Sequence, residues 1–420
     1  MKPSVKIKQF TVSIYWLPAF LGAVALLASG LLPVGEAWSG LTASGDMNPI
    51  KILSLFLALT FLSVYLDELG FFRKLAFAML KKAQGSQKKL FFFLYALVSI
   101  LTVFTSNDVV VLTFTPFICC FCKEEDISPI PYLVAEFVAA NTWSMALVIG
   151  NPTNIYLAST MGISFGEYLS NMWLPTLFAG LTALGVLYLL FRKQLSKEIQ
   201  PLSKRAEIED KGLLYIGIGH LGICVIFLAV SSYAQIPMWL IAVAFAFSLC
   251  VWTMVYSFVK QKIRSSEKLL GRSFKRAPWE LIPFVLSMFI IVLSLQKYGV
   301  TDEIAKLFSG DCGSQIFTYG MASFLSANVV NNIPMSVLFG GVFHAASAMG
   351  ALSEGAVYAT VIGSNLGAYL TPVGALAGIM WTGLLKNHRV EFSFLSFVKY
   401  GAILAIPSLA AALLGLLIIL

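Results

Sequence analysis

Charge is scarce in this sequence. Only 12% of its 420 residues are Asp, Glu, Lys or Arg, where an average soluble domain carries about 25%. With 58% hydrophobic residues and a mean hydropathy of +0.83, the chain cannot build an ordinary water-facing surface. Histidine is rarer still, with three in the chain, and the six cysteines lie mostly in apolar segments without paired spacing to one another or to histidine. That argues against a disulfide framework or a zinc site. No Ser/His/Asp spacing, HExxH or phosphate-binding glycine loop occurs, which removes the familiar hydrolytic chemistries and an ATP drive within the chain. The expectation is a protein that is not an enzyme and uses no cofactor and no resident metal.

Long apolar runs are what the sequence does have. Residues 16–32, 213–230 and 403–420 approach or reach the roughly 20 apolar residues that cross a bilayer core, so the chain reads as an all-α polytopic membrane protein. The net charge of +8 does not point to nucleic acid, because the basic residues gather in short connections. These lie at 2–8, 71–89, 192–211, 260–276 and 386–389, whereas 33–46, 162–171 and 232–235 hold no Lys or Arg. The excess of positive charge on cytoplasmic loops places the first group, and the N-terminus, inside a cell (plasma) membrane and the second group outside. The first apolar run is too long for a signal-peptide core and has no small-residue cleavage pattern after it, so it is kept as a mature span.

Counting crossings between these anchors predicts nine spans, near 11–33, 48–69, 129–160, 172–191, 212–232, 237–259, 279–297, 355–385 and 396–420. Two apolar stretches, 90–122 and 313–350, must each enter and leave on the same side, which makes them re-entrant hairpins. They resemble each other: Gly70 aligns with Gly299, the GSQ at 85–87 with the GSQ at 313–315, and Asn107 and Asp108 with Asn331 and Asn332. The amphipathic segment before the first hairpin is basic, while its counterpart carries Asp302, Glu303 and Asp311. One copy therefore faces in and the other out. The domain reading is an N-terminal repeat over 1–191, a cytoplasmic linker over 192–211 and a C-terminal repeat over 212–420. The first repeat then counts four spans and the second five, as if one helix were missing at the N-terminus.

Inverted repeats with discontinuous helices are a common build of secondary transporters, whose binding sites lie at the breaks. Each hairpin is followed by a helix with a Gly/Pro/Asn interruption, IGNPTNIYL (149–157) and AYLTPVGAL (368–376). Such breaks survive at membrane depth only when buried in protein or lining a watery cavity. The candidate binding set is Ser106, Asn107 and Asp108 at one tip, Asn331 and Asn332 at the other, Asn151, Thr153 and Asn154 at the first break, and Thr371 and Gly374 at the second, with Asn365 just before it. Asparagine both donates and accepts, which suits small hydroxylated solutes or ions. The lack of Arg and Lys weighs against a multiply charged anion held by salt bridges.

Asp108 has two readings: a desolvated acid that exchanges a proton between the faces, or a permanently ionised cation ligand. Glu136, in YLVAEFVAANTW, is either a second intramembrane acid or a residue near the cytoplasmic surface. Of the cysteines in CCFC, only Cys119 and Cys122 share a helix face, and packing explains them; His344 and His388 stand without partners in sequence.

The segments TSNDVVVLTFTP, NNIPMSVL, LDELGFF, RAPWELIPF and YATVIGSNLGAYLTPVGALAGIMW together resemble the arsenite/antimonite efflux permeases of the ArsB type. That family belongs to the ion transporter superfamily, and the resemblance runs over nearly the whole chain. It implies two inverted five-helix repeats, each with a hairpin, and proton-driven export of trivalent arsenic or antimony as neutral hydroxides. The family's tip residues map onto Asn107, Asp108, Asn331 and Asn332. Its acids in the broken helices fall on Asn141 and Asn365 here, which leaves Asp108 to carry proton coupling almost alone. A sodium- or proton-coupled carrier of another small inorganic ion or carboxylate is the alternative. Expected partners are the bilayer, the solute and its coupling ion (H+ or Na+); a separate ATPase subunit and a second copy of the chain could join them.

Overall fold

The computed structural model describes residues 4–7, 10–13, 16–42, 48–196, 210–261 and 263–420; most of the expected 192–211 linker lies outside them. A short antiparallel ribbon, β1 (Ser4–Ile7) and β2 (Phe10–Ser13), precedes α1 (Leu17–Ala28). This corrects the bounds of the span expected over 11–33, not its place in the order. Phe10–Ser13 belongs to the ribbon, and a helix of 12 residues rises only about 18 Å. Gly30 at φ 74 and the following Pro33 stop it, and α2 (Val34–Thr42) occupies what reads as an outer loop.

α3 (Pro49–Glu68) starts where the Asn48 side chain accepts from the Ile50 and Lys51 amides and Pro49 takes the first turn, a position that needs no N–H. It ends at Gly70, whose φ of 82 turns the chain into α4 (Phe71–Ala83). α5 (Gln87–Phe104) and α6 (Asn107–Glu124) form the first hairpin. α7 (Ile130–Trp143) and α8 (Pro152–Thr160) are the halves of the first broken helix, separated by two single 3-10 turns. α9 (Phe165–Phe191) follows, opened by a capping box between Ser164 and Glu167.

The second half runs through α10 (Lys211–Ala229), the short α11 (Ser231–Ala234), α12 (Met238–Val259), α13 (Ile263–Arg276) and α14 (Leu281–Lys297). α15 (Val300–Leu307) leads into the second hairpin, α16 (Cys312–Val330) and α17 (Asn332–Ala348). α18 (Glu354–Gly367) and α19 (Leu376–Asn387) form the second broken helix, and α20 (Phe394–Ile419) closes the described chain.

The order α1–α9 recurs as α12–α20. The alignment of Gly70 with Gly299 is visible directly: both begin an amphipathic helix with positive φ, 82 and 72. Packing is exchanged between the copies: α1 lies on α14 and α12 on α3, α6 on α19 and α17 on α8, and α9 runs along α20. Reciprocal contacts of this kind are what two inverted repeats make about a pseudo-two-fold axis in the membrane.

Even the ion pairs invert. Arg276 on α13 reaches Asp67 and Glu68 at the end of α3 (2.7 and 2.6 Å), whereas at the equivalent place Glu36 on α2 meets Lys297 at the end of α14 (2.9 Å). Among the described residues, α3, α5, α9, α10, α12, α20 and the stretch that holds α14 are long and apolar enough to cross; α5 is a leg of the first hairpin, and the other six are counted as spans. With α1 and the two broken helices they make nine spans, and the hairpins make the two re-entrant elements. Both tips end inside the protein: Thr105, Ser106 and Asn107, and Asn331 and Asn332, are all buried.

Lipid gives helices no hydrophobic drive to associate, so close approach of small residues has to supply it. The tightest case is α16 against α18. Gly363 lies so near Ser323 and Gly320 that a side chain there would overlap both, and at Gly367 a Cβ would stand 2.7 Å from the Phe324 carbonyl. Phe247, Trp252 and Phe258 on α12 point the other way, exposed on the outer surface.

Candidate functional site

Two polar clusters form where the chain leaves helical geometry. The larger is centred on Asn365 of α18. Its Oδ1 accepts from Ser144 Oγ and Asn151 Nδ2, both at 2.9 Å, and its Nδ2 donates to Asn154 Oδ1 at 2.7 Å and to Val361 O at 2.8 Å. Asn154 Nδ2 in turn donates to the Ser144 and Leu147 carbonyls (2.8 and 3.2 Å), which the break has released from helical bonding. Asn151 caps α8, accepting from the Thr153 amide at 3.2 Å. Ser144 Oγ also donates to Asn141 O (2.9 Å), and Asn141 Oδ1 accepts from Asn107 Nδ2 (3.1 Å) at the first tip. One buried network thus joins the first tip, the first break and the second broken helix.

The smaller cluster surrounds the second tip. Asn331 sits at φ 75, ψ 151, a region that residues other than glycine occupy only under strain. Its Nδ2 donates to Val373 O (2.9 Å), its Oδ1 caps Ile333 N (3.3 Å), and the Asn332 amide donates to Gly374 O (3.0 Å). Thr371 Oγ1 donates to Asn328 Oδ1 (2.8 Å). Gly374 must be glycine, since a Cβ would stand 2.7 Å from Gly367 O and 2.8 Å from Asn328 Oδ1. Each tip is therefore tied to its own broken helix. No hydrogen bond joins the two tips among the described residues, and the first break is bonded to the second repeat through Asn365.

Asp108 lies in the first turn of α6, buried, beside a tip whose cap residue Ser106 bonds no amide. The Asn107 Oδ1 takes the Asp108 N–H at 2.9 Å, but no donor and no cation reaches the carboxylate itself among the described residues. Exposed helix N–H groups form a positive end that favours negative charge, and here the chain supplies its own. The buried hydroxyls of Ser106, Thr153 and Ser364 also lack protein partners. Ser106 lines a cavity of ≈ 10 Å³ with Thr60, Ser63 and Ile149, and Thr153 one of ≈ 20 Å³ with Phe56, Tyr156 and Ser336. Each has room for about one water.

Glu136 is fully buried on α7. Thr115 Oγ1 of α6 lies 3.1 and 3.2 Å from its two oxygens, and Trp381 Nε1 of α19 donates at 3.2 Å. At the C-terminal end of α6, an open vestibule of ≈ 710 Å³ is lined by Cys119, Cys120, Lys123, His388 and Arg389 among others. Cys119 and Cys122 are buried as packing predicts. Among the described residues no cluster of His, Cys, Asp and Glu could hold a metal ion. Sequence reasoning passes over Ser144, Asn328 and the two partners of Glu136, whose only signal is a hydroxyl or amide in an apolar helix.

The chain matches the family model described as CitMHS, citrate transporter, over residues 11–362. It is 28% identical over 421 residues to the arsenical pump membrane protein of Yersinia enterocolitica, covering 96% of this chain and 93% of that one. The arsenical pump membrane protein of Escherichia coli strain K12 is 28% identical over 417 residues, with 95% and 92% covered. A 46 kDa membrane protein of Mycobacterium leprae is 25% identical over 377 residues, with 86% and 84% covered. The crystal structure of the Alcanivorax borkumensis YdaH transporter, described as having an unusual topology, superimposes with a TM-score of 0.62 at 12% identity over 96% of this chain and 97% of that one. That likeness bears on the fold. Polar breaks buried between inverted repeats, a fold shared with a solved transporter and a family match over most of the length lead to one assignment: the chain belongs to the CitMHS citrate-transporter family and is a multi-pass secondary transporter similar to the arsenical pump membrane proteins.

Proposed function

We propose that this transporter exports trivalent arsenic or antimony as neutral hydroxides in exchange for protons, with Asp108 as the coupling acid and its N-terminus in the cytoplasm. The observation that carries this reading is the Asp108 carboxylate, buried at a helix start with no cation and no donor on its oxygens among the described residues. Beside it are the Asn107 amide and the unpartnered hydroxyl of Ser106, and the hydroxyl of Thr153 at the first break is unpartnered too; such groups can trade hydrogen bonds with a neutral trihydroxide. Asn107, Asn151, Asn154, Asn331, Asn332, Asn365, Thr371 and Gly374 shape the path by holding the two breaks and the second tip. Neither cluster contains Lys or Arg, so a tricarboxylate would find no salt-bridge partner there. The competing reading makes Asp108 a permanent sodium ligand in a carrier of another small ion.

Uptake into everted vesicles, with arsenite, sodium and the pH gradient varied separately, distinguishes them. Arsenite accumulation should follow the pH gradient and ignore sodium; accumulation indifferent to the proton gradient would sink the exchange. Asp108→Asn should abolish gradient-driven transport while the purified protein stays monodisperse. Unchanged pH dependence in that variant would remove Asp108 from the coupling role.

A further inference from the structure

Glu136 is a buried carboxylate that the exchange at Asp108 does not use. Its two partners come from separate elements in the two repeats: Thr115 from the returning leg of the first hairpin, and Trp381 from the far half of the second broken helix. No Lys, Arg or His pairs with it among the described residues. From α6 the titratable groups on this side are the thiols of Cys119, which lies near the carboxylate, and Cys122; from α7 there is Tyr132 one turn away. α5, α9, α18 and α19 bring no charged group against it.

A fully buried ion with two hydrogen bonds and no counter-charge carries a desolvation penalty of at least several kcal/mol. The neutral acid avoids most of it and keeps the same geometry: its O–H donates to Thr115 Oγ1 while its carbonyl accepts from Trp381. The location matters as well. Asp108, Thr115 and Cys119 lie on one face of α6, seven and four residues apart. At 1.5 Å per residue, Thr115 sits about 10 Å from Asp108 and about 6 Å from Cys119 along the helix. Cys119 lines the vestibule. Glu136 is therefore about one helical turn in from bulk water and two turns short of the tip.

We propose that Glu136 is a second proton-binding site, on the cytoplasmic side of Asp108, whose proton holds the first hairpin against the second broken helix. The inference rests on the transport reading above and adds to it a second titrating group and a path. When the proton leaves for water in the vestibule, the resulting carboxylate has to be hydrated, and the contact of Thr115 and Trp381 across it opens. When a proton returns, the contact closes.

The test uses the purified full chain in nanodiscs and infrared difference spectra across a pH step. A protonated carboxyl has a carbonyl stretch distinct from amide and carboxylate bands. Wild type should show it, Glu136→Gln should lose it, and Asp108→Asn should retain it. Glu136→Gln, which mimics the neutral acid, should also lose the dependence of vesicle transport on cytoplasmic-side pH. A band unchanged by Glu136→Gln overturns the proposal, and so does wild-type pH dependence in that variant. Should Glu136→Gln fail to fold, Glu136→Asp serves: a displaced band supports the site, and an unmoved one overturns it. Wild-type protein that shows the Glu136 band but moves no arsenite would support this site while sinking the proposed cargo.

Discussion

Asn365 uses its whole side-chain amide: Oδ1 receives from Ser144 and Asn151, and Nδ2 gives to Asn154 and Val361. Asn365→Ala should leave Asn151 Nδ2 and Asn154 Oδ1 buried without partners. Each such group costs about 1–3 kcal/mol, so thermal unfolding in detergent should shift clearly downward and transport should fall with it. Asn365→Asp places an oxygen against the Asn154 Oδ1 and Val361 carbonyls, which only a protonated acid can satisfy; that variant should be more stable at acid than at neutral pH. The sequence shows that Asn365 is polar in an apolar helix and that the resembling family has an acid there. It does not show that the side chain crosses to the other repeat, because a hydrogen bond spanning 214 positions leaves no local pattern. The depth of Glu136 is hidden for the same reason: its burial is decided by α6 and α19, not by its neighbours in the chain.

Breaks, hairpins and their order are the part most legible from sequence, since glycine, proline and asparagine at set offsets interrupt otherwise apolar runs. The first span is the exception, where apolar composition continues through Phe10–Ser13 although the backbone there is extended. Packing between elements is less visible. α16 meets α18 through glycine, and Gly363→Ala would drive a methyl into Ser323 and Gly320. Overpacking of a tight contact costs about 1–3 kcal/mol, so this substitution should lower the unfolding midpoint and weaken transport. Gly222→Ala on α10, where nothing lies within 4 Å, is the matched control and should be neutral or slightly stabilising, because Ala is the better helix former by about 1 kcal/mol. Equal effects of the two substitutions would show that helix propensity, not the approach of α16 to α18, sets the outcome.

Among the described helices the two copies correspond element by element, and α10, with its short extension α11, has no counterpart. We propose that the second repeat begins at α12 rather than at residue 212, which also accounts for the helix that the first repeat lacks by simple counting. The sequence hides this because the hydropathy of α10 falls within the range of the repeat members.

α10 also settles a question of parity. Each copy crosses the bilayer an even number of times, through α1, α3, α7–α8 and α9 or their equivalents, so a copy ends on the face where it began. Two such units joined directly would lie in the same sense. A single odd helix between them is what turns the second upside down, and everything that depends on inversion hangs on that one crossing. It follows that the end of α20 lies on the face opposite the start of α1. A fluorescent protein fused ahead of α1 should light up in the cytoplasm, and alkaline phosphatase fused after residue 420 should be active outside; activity of both reporters on one face would refute the count.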